Sequence, residues 1–327
     1  MLNIFFFLAA LLPPSLAGIT GPVIPPHFAD PSIILVDGTY YAFSSGSGSI
    51  NVPAATSTDF YTWTVLNDTD LLPSLPSWAS DNGQVWAPDV AQLSDSTFIL
   101  YFSATYASNG SHHCLGAATS TSILGPYTPV SDTTPFACPL SQGGAIDANL
   151  YYDTPTQSTY VTYKIDGNSI GHGGNCNNGI EPIVSTPIML QQVSTTDGHT
   201  KIGTATQILD RSDADGPLVE APALMRTGSG TYVLFFSSNC YSGSLYDLSY
   251  ATADAVTGPY TKSSAPLFVT GTYENISLIS PGSCDVWNSG MGENARLVFH
   301  GDVGEVDASL RGMYIAEIEV DGTEVSI

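Results

Sequence analysis

Five stretches of the chain look alike. They are GTYYAFSS from Gly38, STFILYFSAT from Ser96, STYVTYKI from Ser158, GTYVLFFSS from Gly230 and ARLVFHGD from Ala295. Each alternates apolar and polar positions or runs apolar, as half-buried and buried strands do, and follows a turn rich in Asp, Ser, Gly or Asn. Their starts lie 58 to 72 residues apart. A shorter strand precedes each one (DPSIILVD, PDVAQLS, DANLYYD, APALMRT, CDVWNS) and a third follows (VPAATST, LGAATST, IMLQQVST, DLSYATA, GMYIAEIEV). After several of these a turn and an aromatic residue recur, in FYTWTVL, GPYTPV and GPYTKS. No stretch carries the 3.6-residue period of an amphipathic helix.

A unit of about four antiparallel strands repeated five times predicts an all-β fold, a five-bladed β-propeller, because radial repetition leaves only short, protected edges. A pair of β-sandwiches is the alternative, but sandwich strands do not normally recur with a period near sixty. The strand after Asp30 and the terminal TEVSI complete five blades, so the ring is expected to close without a strand exchanged between its ends. No boundary is visible within 18–327, which reads as a single catalytic domain.

Composition narrows the partners. The net charge is −23 and only seven residues are Lys or Arg, too few to neutralise a row of phosphates. Nucleic acid and anionic membranes are therefore not expected partners, and a monomer is expected. Residues 1–17, MLNIFFFLAALLPPSLA, read as a signal peptide: the apolar centre is too short to span a bilayer, and small residues end it at Ser15-Leu16-Ala17. Sequons at Asn67, Asn109 and Asn275 agree with a secreted, extracellular glycoprotein. Five cysteines follow, Cys114, Cys138, Cys176, Cys240 and Cys284, with no CxxC spacing that would suggest a metal cluster. In an oxidising compartment they predict disulfides with one thiol left over, and Cys114 with Cys138 is the preferred pair because both flank one segment.

Asp147 raises the question of chemistry, because it stands between Ile146 and Ala148 at the start of an apolar strand. A charge buried among apolar neighbours is costly unless something pairs with it. In a propeller the first strand of each blade lines the central channel. Aligning the repeats places Asp30, Asp147 and Glu220 at matching positions in blades one, three and four, with Ala87-Pro88 and Gly282-Ser283 in the other two. Singly, each acidic residue reads as turn chemistry. Together they read as carboxyl groups converging on one end of a channel, where they push one another's titration apart as acid–base catalysis requires.

The motifs ADPSIILVDGTYY, VWAPDV, AIDANLYYD, VEAPAL and RGMYIAEIEVDG, in that order, resemble those of glycoside hydrolase family 43 across nearly all of the chain after residue 17. The resemblance implies an inverting hydrolase with Asp30 as general base, Glu220 as general acid and Asp147 orienting the acid and tuning its pKa. An inverting site needs its two carboxyl groups far enough apart to admit a water. The resemblance also implies a substrate wall at Trp86, an arginine, Arg311, reaching the carboxylates and substrate hydroxyls, and a histidine near the channel centre that binds substrate or holds a metal or water. Several members carry that histidine on the first strand of blade five, where this chain has Ser283; His300 on the next strand either supplies it or is an ordinary buried histidine. No cofactor is required, and a calcium ion in the channel would be structural. Four other histidines, His112, His113, His172 and His199, read as solvated loop residues.

The segment DGNSIGHGGNCNNGIEPIVSTPIML is placed to wall the channel mouth and favour release of single sugars. With the compact form, this points to a β-1,4-xylosidase on xylo-oligosaccharides, with activity on α-L-arabinofuranosides. An endo- or exo-acting α-1,5-L-arabinanase is the rival. A retaining fructosidase would show Asn-Asp-Pro, Arg-Asp-Pro and Glu-Cys motifs, whereas Asp30 follows Ala29 and Glu220 precedes Ala221. A non-catalytic sugar-binding propeller would have no need of all three carboxylates.

Overall fold

The computed structural model describes residues 18–81, 84–94, 96–288 and 294–327; the leader expected over 1–17 lies outside them. Five antiparallel sheets form the ring of a five-bladed β-propeller. The innermost strands are Ser32–Val36, Trp86–Ser94, Ala145–Asp153, Val219–Arg226 and Gly282–Trp287. The recurring strands found by repetition are second in each blade: Thr39–Phe43, Thr97–Thr105, Ser158–Ile165, Tyr232–Ser238 and Asn294–Asp302. The helical turns among the described residues are 3-10 turns of three or four residues.

The hydrophobic core lies between blades, because each sheet has two faces to cover. Between blades four and five, Phe235, Leu248, Phe299 and Tyr314 pack together. Between blades one and two, Phe43, Leu71, Phe98 and Phe102 do the same. Burying each such side chain is worth about 1.5–3 kcal/mol, and five junctions of this kind hold the ring. The GPYT turns close blades two and four alike: the Tyr127 and Tyr260 hydroxyls donate to the carbonyls of Ile123 and Val256, at 3.2 and 3.1 Å.

Closure of the ring differs from the expectation. Gly18–Ile24 forms the outer strand of blade five, pairing with Arg311–Asp321 from Gly18 opposite Glu317 to Ile24 opposite Met313. The terminal Glu324–Ser326 pairs with the other half of that strand, as the hairpin partner of Glu319–Asp321. Both ends of the described chain therefore meet on one strand. GITGPVI, with two glycines and a proline, carries too little strand pattern to have been counted.

Candidate active site

Every innermost strand begins with the same backbone irregularity. Asp30, Ala87, Asp147, Ala221 and Ser283 all have positive φ, between 41° and 60°. In blades two to five the ladder register shifts across this residue, a bulge that turns its side chain off the sheet. Left-handed backbone is disfavoured for residues other than glycine, and such strain collects at functional sites. This register corrects the alignment made from sequence. Asp30 and Asp147 share one phase, but Glu220 stands one residue earlier, in the phase of Trp86 and Gly282. Gly282 has no room for a side chain there, because a Cβ would lie 2.2 Å from the Tyr246 ring.

The three carboxyl groups do line one cavity of about 680 Å³, together with Trp86, Lys164, Tyr241 and Arg311. Asp30 Oδ1 is 3.1 Å from Arg311 Nη1, and Asp30 Oδ2 accepts the Ser45 hydroxyl at 2.5 Å. Burial pushes the Asp30 carboxyl up, but the Arg311 charge and the Ser45 hydroxyl act against it, and the carboxyl lies well below the ordinary carboxylate range. Asp147 is shifted the opposite way: burial and the neighbouring Glu220 charge push it well above that range, against Lys164. Asp147 Oδ2 accepts the Ala221 amide at 3.0 Å, which fixes it beside Glu220. Glu220 itself accepts two donors, Lys164 Nζ at 2.9 Å on Oε2 and the Tyr246 hydroxyl at 3.0 Å on Oε1.

Lys164 and Tyr246 were not anticipated. Lys164 is buried in an otherwise apolar second strand, with Asp166 on its other side at 3.3 Å. Burial would favour its neutral form, but Glu220, Asp166 and Asp147 outweigh this and raise its pKa. Trp86 is half-buried on the cavity wall, its ring stacked on His113 with centroids 3.8 Å apart. His113 is thus part of the wall and not a solvated residue, and His112 is buried too; His172 is exposed. Arg311 is where the resemblance put it, its guanidinium also over the Tyr241 ring at 5.3 Å.

His300 does not reach the cavity, which corrects its expected contact with substrate. It is fully buried behind Asp30, with Nδ1 3.1 Å from the Asp30 amide nitrogen. Burial lowers its pKa, and Nδ1 accepts that amide. Calcium takes six to eight oxygen ligands. Around His300 that donor set is not assembled: Nε2 is buried without a hydrogen-bond partner, but no group of three His, Cys, Asp or Glu gathers among the described residues. No step below depends on a metal.

Two residues further along the same strands lies a second layer of buried groups, Ser32, Asp89, Asn149 and Asp285, around a cavity of about 30 Å³ that Asp30 and Asp147 also line. Asn149 Nδ2 donates to Asp89 Oδ1 at 3.3 Å and to Asp285 Oδ1 at 3.1 Å. Burial and the Asp285 charge push Asp89 up, and burial pushes Asp285 up to about 6.

The blade-three segment walls the large cavity through Asp166, Asn168, Ser169, Cys176 and Asn177, as expected. A Cys176–Cys240 disulfide straps it to blade four, Cys114 pairs with Cys138, and Cys284 is free and buried. On the opposite side the site is open. A second cavity of about 490 Å³, over blade one, shares Gln84, Trp86, Ala308, Ser309 and Arg311 with the first. The two form one groove, strapped on the side of blades three and four.

Comparison with known proteins agrees with this architecture. An extracellular endo-α-(1→5)-L-arabinanase of Thermotoga petrophila is 31% identical over 153 residues, 38% of this chain and 31% of that protein. A β-D-galactofuranosidase of Aspergillus niger is 27% identical over 259 residues, 73% of this chain and 65% of that protein. The chain thus spans less than two thirds of the length of these relatives. The crystal structure of a thermostable family-43 glycoside hydrolase superposes with a TM-score of 0.71 at 21% identity, covering 91% of this chain and 92% of the other. The sequence profile of glycosyl hydrolases family 43 matches residues 19–323, and the chain belongs to that family of glycoside hydrolases.

Proposed function

We propose that the chain is a secreted, inverting hydrolase that removes pentosyl units from hemicellulose and arabinan oligosaccharides, with α-L-arabinofuranosyl linkages as the preferred substrate. The observation that carries this reading is the unlike surroundings of carboxyl groups on one cavity wall. Asp30 is paired with Arg311 and stays an anion, fit to take a proton from an attacking water. Asp147 is pushed up beside Glu220, and Glu220, with Tyr246 and Lys164 orienting it, delivers a proton to the leaving oxygen. Water then attacks the anomeric carbon from the Asp30 side as the glycosidic bond breaks on the Glu220 side. The configuration inverts, and the carboxyl groups are expected roughly 6.5 to 9.5 Å apart. Arg311 spans base and substrate, and Trp86 offers a flat apolar face to a sugar ring.

The names of the two relatives support the choice of sugar, since both imply substrates with five-membered rings. A β-1,4-xylosidase is the second reading. It is favoured by the strapped blade-three wall, which suits removal of single units from a chain end. Secretion is supported by two disulfides and by sequon asparagines that are all exposed.

The deciding assay compares α-1,5-arabino-oligosaccharides, xylobiose and debranched arabinan, with NMR of the nascent sugar. Free arabinose with inverted configuration is the expected product. Xylose alone favours the second reading, and a retained configuration removes the mechanism.

A further inference from the structure

At each of the five blade junctions, the amide of the positive-φ residue is held by a side chain of the preceding blade. The second strands present Ser103, Lys164, Ser237 and His300 at one equivalent position by their register with the first strands, and Ser45, just past the second strand of blade one, takes the same place with its amide on the Ala29 carbonyl. Four of these are acceptors, and each takes the amide of the next blade. Ala87 donates to Ser45 Oγ at 2.9 Å, Asp147 to Ser103 Oγ at 3.1 Å, Ser283 to Ser237 Oγ at 2.8 Å and Asp30 to His300 Nδ1 at 3.1 Å. Only the junction between blades three and four breaks the pattern. An ammonium has donors and no acceptor, so Lys164 cannot take the Ala221 amide, and Asp147 Oδ2 takes it instead at 3.0 Å.

We infer that Lys164 is a positioning residue for the acid pair. By standing where the other blades place an acceptor, it turns the Asp147 carboxylate onto the Ala221 amide, clamps Glu220 Oε2, and so sets the orientation and proton affinity of both. This rests on the reading of Glu220 as general acid. The charge it meets comes from two blades, Asp147 and Asp166 from blade three and Glu220, backed by Tyr246, from blade four, while Asp30 acts on Asp147 from across the channel. A bystander cation would have no reason to be fully buried at the one junction that carries the acid. Lysine also supplies a compact charge, where arginine would bring a planar fork that needs more room.

The test replaces Lys164 with Ser, the residue of three other junctions, and separately with Met, which keeps the length without the charge. Both are compared with Lys164→Arg on an arabinobiose and on a nitrophenyl arabinofuranoside. Expected for Ser and Met is a loss in kcat of about 100-fold on the disaccharide, within the 10²–10⁴ range of acid–base catalysis. The nitrophenyl substrate should lose under about tenfold, because its leaving group needs little protonation. KM should stay within about threefold. The alkaline limb of the pH profile should move up by roughly one unit, since a cation next to a carboxylate favours its ionised form. Lys164→Arg should keep the limb near its native position. If Ser disrupts folding, Met carries the same reading. Equal losses on both substrates with an unmoved limb would overturn the inference and leave Lys164 a structural ion-pair partner. Glu220→Ala on the same two substrates tests the underlying reading separately: if its loss is independent of leaving group, the acid assignment fails whatever Lys164 does.

Discussion

The innermost strands carry two layers of buried carboxyl groups that differ in what surrounds them. The upper layer holds Asp30 and Asp147, with Glu220 one residue before, and opens to the groove beside two cations, Arg311 and Lys164. The lower layer, two residues along, holds Asp89 and Asp285 around Asn149, buried and with no cation in contact among the described residues. In the lower layer burial pushes both acids up, and the Asp285 charge pushes Asp89 further the same way. In the upper layer the cations separate the groups: Arg311 takes Asp30 down while Asp147 stays high. A carboxyl ring in this fold becomes reactive only where cations and access distinguish its members.

Removing members of the upper layer should break the comparison most visibly. Asp30→Ala should lose about 10⁴-fold on both an arabinobiose and a nitrophenyl arabinofuranoside, because the attacking water has no base in either case. Glu220→Ala should lose about 10³-fold on the disaccharide and far less on the nitrophenyl substrate. Steady-state kinetics on the pair checks both. Similar profiles for the two variants would mean that the groups are not divided as base and acid. Asp147→Asn should follow, at about 100-fold in kcat with the fold intact, since the side chains are nearly the same size. It also removes a like charge from beside Glu220, so the alkaline limb should move down, opposite to the shift expected on removing Lys164. Normal turnover with an unchanged profile would make Asp147 structural.

The upper layer was largely legible in the sequence, because repetition brings five short strands to one axis and makes three acidic residues conspicuous. The one-residue error on Glu220 came from matching residue type instead of backbone. Pro31, Pro88 and Pro222 follow Asp30, Ala87 and Ala221, and they mark the true phase. Lys164 was hidden in TYKI, which reads as apolar strand, although the same alignment places it opposite Ser103 and His300. The lower layer gave no signal, since Asp89 in APDVAQ and Asp285 in SCDVW look like strand-edge residues until the channel is closed around them. Ring closure by Gly18–Ile24 was missed because strand pairing over nearly the whole chain length leaves no local pattern.

The smallest effect belongs to the lower layer, and its sign is unusual. A carboxyl group whose pKa is raised by folding contributes stability that is fully present below its unfolded value and is lost as pH rises through the folded value. Asp285 moves from 3.8 to about 6, so stability should fall between about pH 4 and pH 6, by on the order of 3 kcal/mol from this group at 1.36 kcal/mol per unit. Asp30 acts in another window: its pKa is depressed, so the stability it contributes is lost only as pH falls below the unfolded value near 4. Most proteins are most stable between about pH 5 and 8, whereas this one is expected to peak near pH 4 to 5. Asp89→Asn keeps an acceptor for the Leu150 amide, at 2.8 Å in the native protein, and removes the second buried acid, which would have to ionise beside the Asp285 charge. Its unfolding midpoint should therefore decline with pH by roughly half as much as the native protein's. Urea unfolding at pH 4, 5, 6 and 7 measures both slopes, and equal slopes would mean that the two acids titrate independently, with Asn149 merely a spacer between them.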